Sequence, residues 1–118
     1  MKTILHMDAL CFLSNLADGS VDLVISSPPY FMGKEYDSST SVADFLSAHT
    51  NLLDQLVRVL KPGGSICWQI GNHVKNNVLV PLDALVYGVF SSSPNLKLRN
   101  RVIWTYGHGA HCSRRPDR

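Results

Sequence analysis

VDLVISSPPYFMGKEY, residues 21–36, is the stretch around which the remaining sequence arranges itself. Asp22-Leu23-Val24-Ile25-Ser26 is short, largely apolar and β-branched, the composition of a strand buried in a parallel sheet. Pro28 and Pro29 then end it, because neither has an N–H to donate to a ladder and both restrict φ. The chain leaves the sheet as a stiff tip in which Ser27, Pro28 and Tyr30 present a hydroxyl, a carbonyl and an aromatic ring side by side. Open α/β sheets bind ligands at the carboxyl ends of their strands, where this tip lies.

Such a tip suits a poor nitrogen nucleophile. The lone pair of an exocyclic amine on a nucleobase is delocalised into the ring, so acceptors that favour a pyramidal nitrogen leave it free to react. The Ser27 hydroxyl and the Pro28 carbonyl have that character, and the Tyr30 ring could stack on a base taken out of a duplex, a contact worth roughly 1 to 3 kcal/mol. The competing reading is a Pro-Pro turn that closes a core strand, with a tyrosine packed beside it.

At 118 residues the chain is one domain, small for a complete doubly wound enzyme. Its hydrophobic content of 45% against 17% charged residues belongs to a folded protein rather than a disordered one. No apolar run reaches membrane-spanning length and residues 1–10 lack a signal-peptide pattern, so the expected location is cytoplasmic, with no membrane partner. Cys11, Cys67 and Cys112 are widely spaced and odd in number, which reads as free thiols in a reducing compartment. The net charge of +2 conceals an asymmetry: residues 1–96 hold five Lys/Arg against eight Asp/Glu, and residues 97–118 hold six against one. A basic end interleaved with Trp104, Tyr106, His108 and His111 could follow a phosphate backbone or form a solvated tail.

Taken in order, residues 3–7 (TILHM) read as a first strand ending at Asp8, and residues 9–16 as a short helix with Leu10 and Leu13 inward. With the strand that runs into Ser27 they would form a βαβ unit. Residues 31–40 have no period and read as a loop beside the tip. Ser41, with Asp44 three residues on, is a capping box in its shorter-acid form. Behind it Val42, Phe45, Leu46, His49, Leu52, Leu53, Leu56, Val57 and Leu60 make one long apolar face, on which His49 reads as a core histidine. Lys61-Pro62-Gly63-Gly64 stops that helix, and residues 65–70 (SICWQI) read as the next strand. Gly71-Asn72-His73 should then turn at the same rim as Ser27. Residues 78–90 read as a third helix, with Pro81 near its start, and residues 98–106 as a fourth strand.

HMDAL, DGSVDLVISSPPYFMGKEY, RVLKPGGSICWQIGNH and RNRVIWTYGHGAHCSRR, in that order, resemble the β class of amino DNA methyltransferases, which methylate cytosine N4 or adenine N6. The resemblance covers essentially the whole chain. It implies an α/β fold, part of a doubly wound, Rossmann-like sheet with helices on both faces, and S-adenosylmethionine as methyl donor. It makes Ser27, Pro28, Pro29 and Tyr30 the catalytic tetrad, with Ser at the first position more typical of cytosine-N4 enzymes. It places Asp8 near the cofactor, and Lys34, Arg99, Arg101, Arg114 and Arg115 toward DNA.

The sequence departs from the family in one respect. The Phe-x-Gly-x-Gly loop that holds the cofactor, which in this class follows the recognition region, has no match here. The expected identity is therefore the N-terminal catalytic part of a larger methyltransferase, inactive alone. It would partner with DNA and with either the missing C-terminal half or a second copy in a homo-oligomer. A non-enzymatic nucleic-acid-binding or assembly module with the same fold is the alternative, and a small-molecule or RNA methyltransferase a third. His108, His111 and Cys112 lack the spacing and the fourth ligand of a zinc site, so no metal is expected.

Overall fold

Two parallel strands and the helix that crosses between them carry the architecture. In the computed structural model, which describes residues 2–30 and 41–105, the chain runs α1 (Ala9–Ser14), β1 (Val21–Ser26), α2 (Val42–Val59), β2 (Leu60–Trp68), β3 (His73–Lys75), β4 (Val78–Val80) and α3 (Leu82–Phe90). Leu23 lies opposite Ser65, Val24 opposite Ile66, Ile25 opposite Cys67 and Ser26 opposite Trp68, all in parallel. Parallel neighbours need a long crossover, and α2 supplies it.

The start of α2 follows from two side chains. Ser41 is extended, and its Oγ accepts the Asp44 N–H at 3.1 Å while its hydroxyl donates to the Asp44 carboxylate at 2.8 Å. That satisfies one orphan donor of the first turn and sets an acid at the positive end of the helix. Apolar spacings of three and four then bury Phe45, His49, Leu53, Leu56 and Val59 along one stripe.

Lys61-Pro62-Gly63-Gly64 does more than end the helix. Val21 pairs with Leu60 but Leu23 already pairs with Ser65, so the four residues bulge out of the ladder. Gly63 sits at φ +82°, which favours glycine, whereas Gly64 is needed for space: a Cβ there would lie 2.8 Å from Leu60 Cγ and 3.0 Å from the Asp22 carbonyl. Lys61 Nζ bridges both Asp22 carboxylate oxygens at 2.9 and 2.8 Å across the bulge. Both side chains are largely exposed, so that pair adds little stability.

The core divides into one cluster of Phe45, Leu82 and Val86 and another of Leu13, Leu56 and Val59, with Trp68 and Phe90 packed against both. Val24 and Ile66 join the second cluster, so the buried residues of α1, α2 and α3 gather on one face of the strand pair. Helices on both faces, the arrangement expected from the sequence, are not found among the described residues. On the opposite face Leu23 is half exposed and Ile25 is 73% exposed, too open for the doubly covered strand that its composition suggested.

Three further expectations are corrected. Residues 3–7 form no strand, because no described strand pairs with them, and Ile4 is almost wholly exposed. Residues 98–105 likewise have no ladder, and Val102, Ile103 and Trp104 stand open to solvent. The third helix begins at Leu82, not Val78. Residues 78–80 instead pair antiparallel with residues 73–75 through Asn76 and Asn77, both at positive φ (50° and 62°), the signature of a two-residue hairpin turn.

Arg58 ties the small N-terminal helix to the rest. Its guanidinium donates to the carbonyls of Leu13 (2.7 Å) and Leu16 (2.9 Å) and to the Asp18 carboxylate, and its own carbonyl accepts the Gly19 N–H at 3.0 Å. The carbonyls at the end of α1 are thus satisfied from α2. Arg58→Met should lower stability by about 2 kcal/mol, the scale of losing hydrogen bonds from a charged group. Arg58→Lys should recover less than half of it, because a single ammonium cannot reproduce the fork. Urea unfolding midpoints of the three proteins measure this.

Candidate active-site tip

The ladder between β1 and β2 closes with the Gln69 N–H donated to the Ser26 carbonyl at 2.9 Å. The next four residues are the tip. Ser27 is exposed and Tyr30 half buried, and Ser27 Oγ lies 2.9 Å from Tyr30 Oη, so the first and last residues of the tetrad are hydrogen-bonded to each other. The body of the Tyr30 ring packs against the Phe45, Leu82 and Val86 cluster. Gly71-Asn72-His73 lies at the same rim, as parallel pairing requires. A Cβ built on Gly71 would stand 3.3 Å from Tyr30 Cδ2 and 3.4 Å from Cε2, so this backbone borders the ring. The sequence placed Gly71 at this rim without giving it a role. The available signal was a glycine just past the strand that pairs with β1.

A second arrangement supports the tip from below. His49 is buried; its Nδ1 is 2.8 Å from the Phe45 carbonyl, and its Nε2 is 3.2 Å from Trp68 Nε1. An indole N–H only donates, so Nε2 is the acceptor and Nδ1 carries the proton to Phe45: the imidazole is neutral. Both ring nitrogens are thereby engaged, which makes this a structural histidine, as its place on the apolar stripe implied. Trp68, the residue it holds, is the partner of Ser26 immediately before the tip. Loss of water around the ring lowers the His49 pKa below 6.5, and the bond to Phe45 opposes that shift less strongly.

The remaining candidates lie apart. Asp8 is the N-cap of α1, with Oδ1 accepting from the N–H groups of Leu10 (2.9 Å) and Cys11 (3.2 Å). One carboxylate oxygen is thus committed to the helix. Arg99 is exposed, and Arg101 is ion-paired with Asp83 of α3. Lys34, Arg114 and Arg115 fall outside the described residues, as do His108, His111 and Cys112. No group of metal-ligating side chains occurs among the described residues, and no described helix is long and apolar enough to cross a membrane.

A helix-bridged parallel pair thus brings a hydroxyl, two prolines, an aromatic ring and a glycine to its carboxyl rim, where open α/β sheets bind ligands. The family model described as DNA methylase, covering N6 and N4 methyltransferases, matches residues 21–117, and the chain belongs to that family. It is 35% identical to the type II methyltransferase M.BglII of Bacillus subtilis over 98% of this chain and 32% of the relative. It is 29% identical to the type II methyltransferase M.ScaI of Streptomyces caespitosus, over 88% of this chain and 34% of that protein. With the DNA adenine methyltransferase YhdJ of Escherichia coli K12 the identity is 30%, over 89% and 33%. The chain therefore spans about a third of the length of these curated relatives.

The lowered His49 pKa makes stability depend on pH. In the window between its folded value and 6.5 the unfolded chain binds more protons than the folded one, so stability rises with pH. The contribution is complete above 6.5 and is lost as pH falls through the folded value. Protonation also leaves Nε2 unable to accept from Trp68. Urea midpoints between about pH 5 and pH 8 should fall on the acid side, and His49→Gln, which keeps an acceptor but cannot titrate, should flatten that slope.

Proposed function

We propose that this chain carries the amine-binding tip of a site-specific DNA methyltransferase that transfers a methyl group to the exocyclic amine of a flipped base, with cytosine N4 favoured over adenine N6. The observation that carries the reading is the 2.9 Å pairing of Ser27 Oγ with Tyr30 Oη at the carboxyl end of β1, in a chain of the DNA methylase family. The Ser27 oxygen and the Pro28 carbonyl accept the two N–H groups of the amine and leave its lone pair free, and the Tyr30 ring stacks on the base. Pro28 and Pro29 hold these groups at fixed spacing. DNA is held along the basic end by Arg99, Arg101, Arg114 and Arg115 and by Lys34, which follows the tip in sequence. The setting is a restriction-modification system in the cytoplasm.

The methyl donor that the family implies is S-adenosylmethionine, and the described residues account for the amine end of the reaction alone. On this reading its Phe-x-Gly-x-Gly loop comes from another polypeptide segment, either a continuation of this one or another chain, and the 118 residues do not methylate DNA by themselves. A chimera in which they replace the corresponding third of M.BglII tests the assignment. It should incorporate labelled methyl groups into DNA. Ser27→Ala should slow single-turnover methylation on the order of 10²-fold, as removal of one preorganised hydrogen-bonding group does, with DNA affinity little changed. Tyr30→Ala should weaken both. An unaltered single-turnover rate for Ser27→Ala rules the role out.

The uncovered face of the strand pair supports the reading that this chain has a protein partner. Ile25 and Leu23 on that face, the unpaired residues 3–7 and the apolar recess of about 420 Å³ lined by Thr3, Leu5, Met7, Ala9 and Phe12 are surfaces that a missing sheet neighbour or a second copy would cover. Light scattering after size-exclusion chromatography should therefore show the 118-residue chain associating as its concentration rises. A monomer mass at every dilution would count against it.

A further inference from the structure

We propose that Gly71 is a positioning residue for Tyr30: the missing side chain at this place lets the ring lie where a flipped base would meet it. The proposal rests on the amine-binding role of the tip. Its physical basis is that the Tyr30 ring is fixed from several elements at once. The hydroxyl is held by Ser27 at 2.9 Å, and the residue packs against the cluster of Phe45, Leu82 and Val86. The edge formed by Cδ2 and Cε2 borders the Gly71 backbone. What remains open is the part of the ring available for stacking.

Gly71 is required here for space, not for backbone conformation. Gly19 and Gly63 are the described glycines at positive φ, and Gly71 is not among them. Any residue could adopt its backbone, yet a methyl group would stand 3.3 and 3.4 Å from two ring carbons, closer than the roughly 3.5 to 4.0 Å of an ordinary carbon contact. The ring has to give by a few tenths of an ångström, and a shift of the ring carries Oη away from its 2.9 Å contact with Ser27. Because hydrogen bonds weaken steeply with misalignment, the Ser27–Tyr30 bond gives first. A single methyl three residues beyond β2 would thus disorganise the tetrad at the end of β1. Gly88 provides the control, since nothing lies within 4 Å of a Cβ built there.

Nuclear magnetic resonance of the isotopically labelled 118-residue chain tests this without any methyl transfer, so its result is separate from the fate of the catalytic reading. The wild-type protein should show cross-relaxation between the Gly71 α-protons and the Tyr30 ring protons. Gly71→Ala should shift the Tyr30 Cζ resonance, which reports the state of the hydroxyl, together with the Ser27 amide, and Gly88→Ala should leave both in place. With Tyr30→Phe, Gly71→Ala should still move the ring signals but no longer the Ser27 amide. In the M.BglII chimera Gly71→Ala should lower turnover several-fold with Tyr30 present and have no effect after Tyr30→Ala. The proposal is overturned by the absence of Gly71–Tyr30 cross-relaxation in the wild type, which holds even where the variant does not fold. Unmoved Tyr30 and Ser27 signals in folded Gly71→Ala overturn it equally.

Discussion

Parallel pairing of β1 with β2 is the constraint on which the rest depends. Parallel strands bring both carboxyl ends to one rim, so the residues after Ser26 and those after Trp68 have to meet there. That is why the tyrosine that follows one strand borders a glycine that follows the other. The same pairing demands a long connection. Once α2 lies across one face of the pair, the burial of Phe45, Leu56 and Val59 decides where α1 and α3 can dock. On the opposite face Leu23 stays half exposed and Ile25 largely so.

Trp68 joins the two halves of this arrangement. Its main chain is the partner of Ser26, its ring touches both core clusters, and its indole N–H is accepted by His49. A buried polar pair of this kind adds less in net energy than in direction: it allows one orientation of helix over strand and penalises others by leaving donor or acceptor unmet. The tip is thereby supported by a fixed platform, the general requirement for holding reacting groups in place.

Much of this was legible in the sequence, and the failures have a common cause. Residues 42–59 were readable as a helix because eighteen residues of apolar period and the Ser41–Asp44 cap are local signals. The strand ending at Ser26 was readable for the same reason, as was the structural role of His49. Residues 3–7 and 98–105 have strand composition too, but a strand exists only with a neighbour, and no local pattern says whether one is present. The hairpin at Asn76-Asn77 was hidden for another reason. Val78, Leu79 and Val80 run into an apolar helix, and the eye follows hydrophobicity past Pro81, although two adjacent asparagines between short apolar runs carry the turn chemistry. At the tip, the tetrad was visible as a motif, whereas the bordering glycine depended on a contact across forty residues of chain that no spacing rule reaches.

Arg58 bears on the small N-terminal helix. A helix of six residues is far below the length at which an isolated helix holds together in water. The carbonyls of Leu13 and Leu16 find their donors on a residue more than forty positions later, and Leu13 is buried by Leu56 and Val59 from that same later segment. In the folded molecule the place of α1 therefore depends on the last turn of α2. The earliest helix in the sequence is kept in place by a residue of a later one.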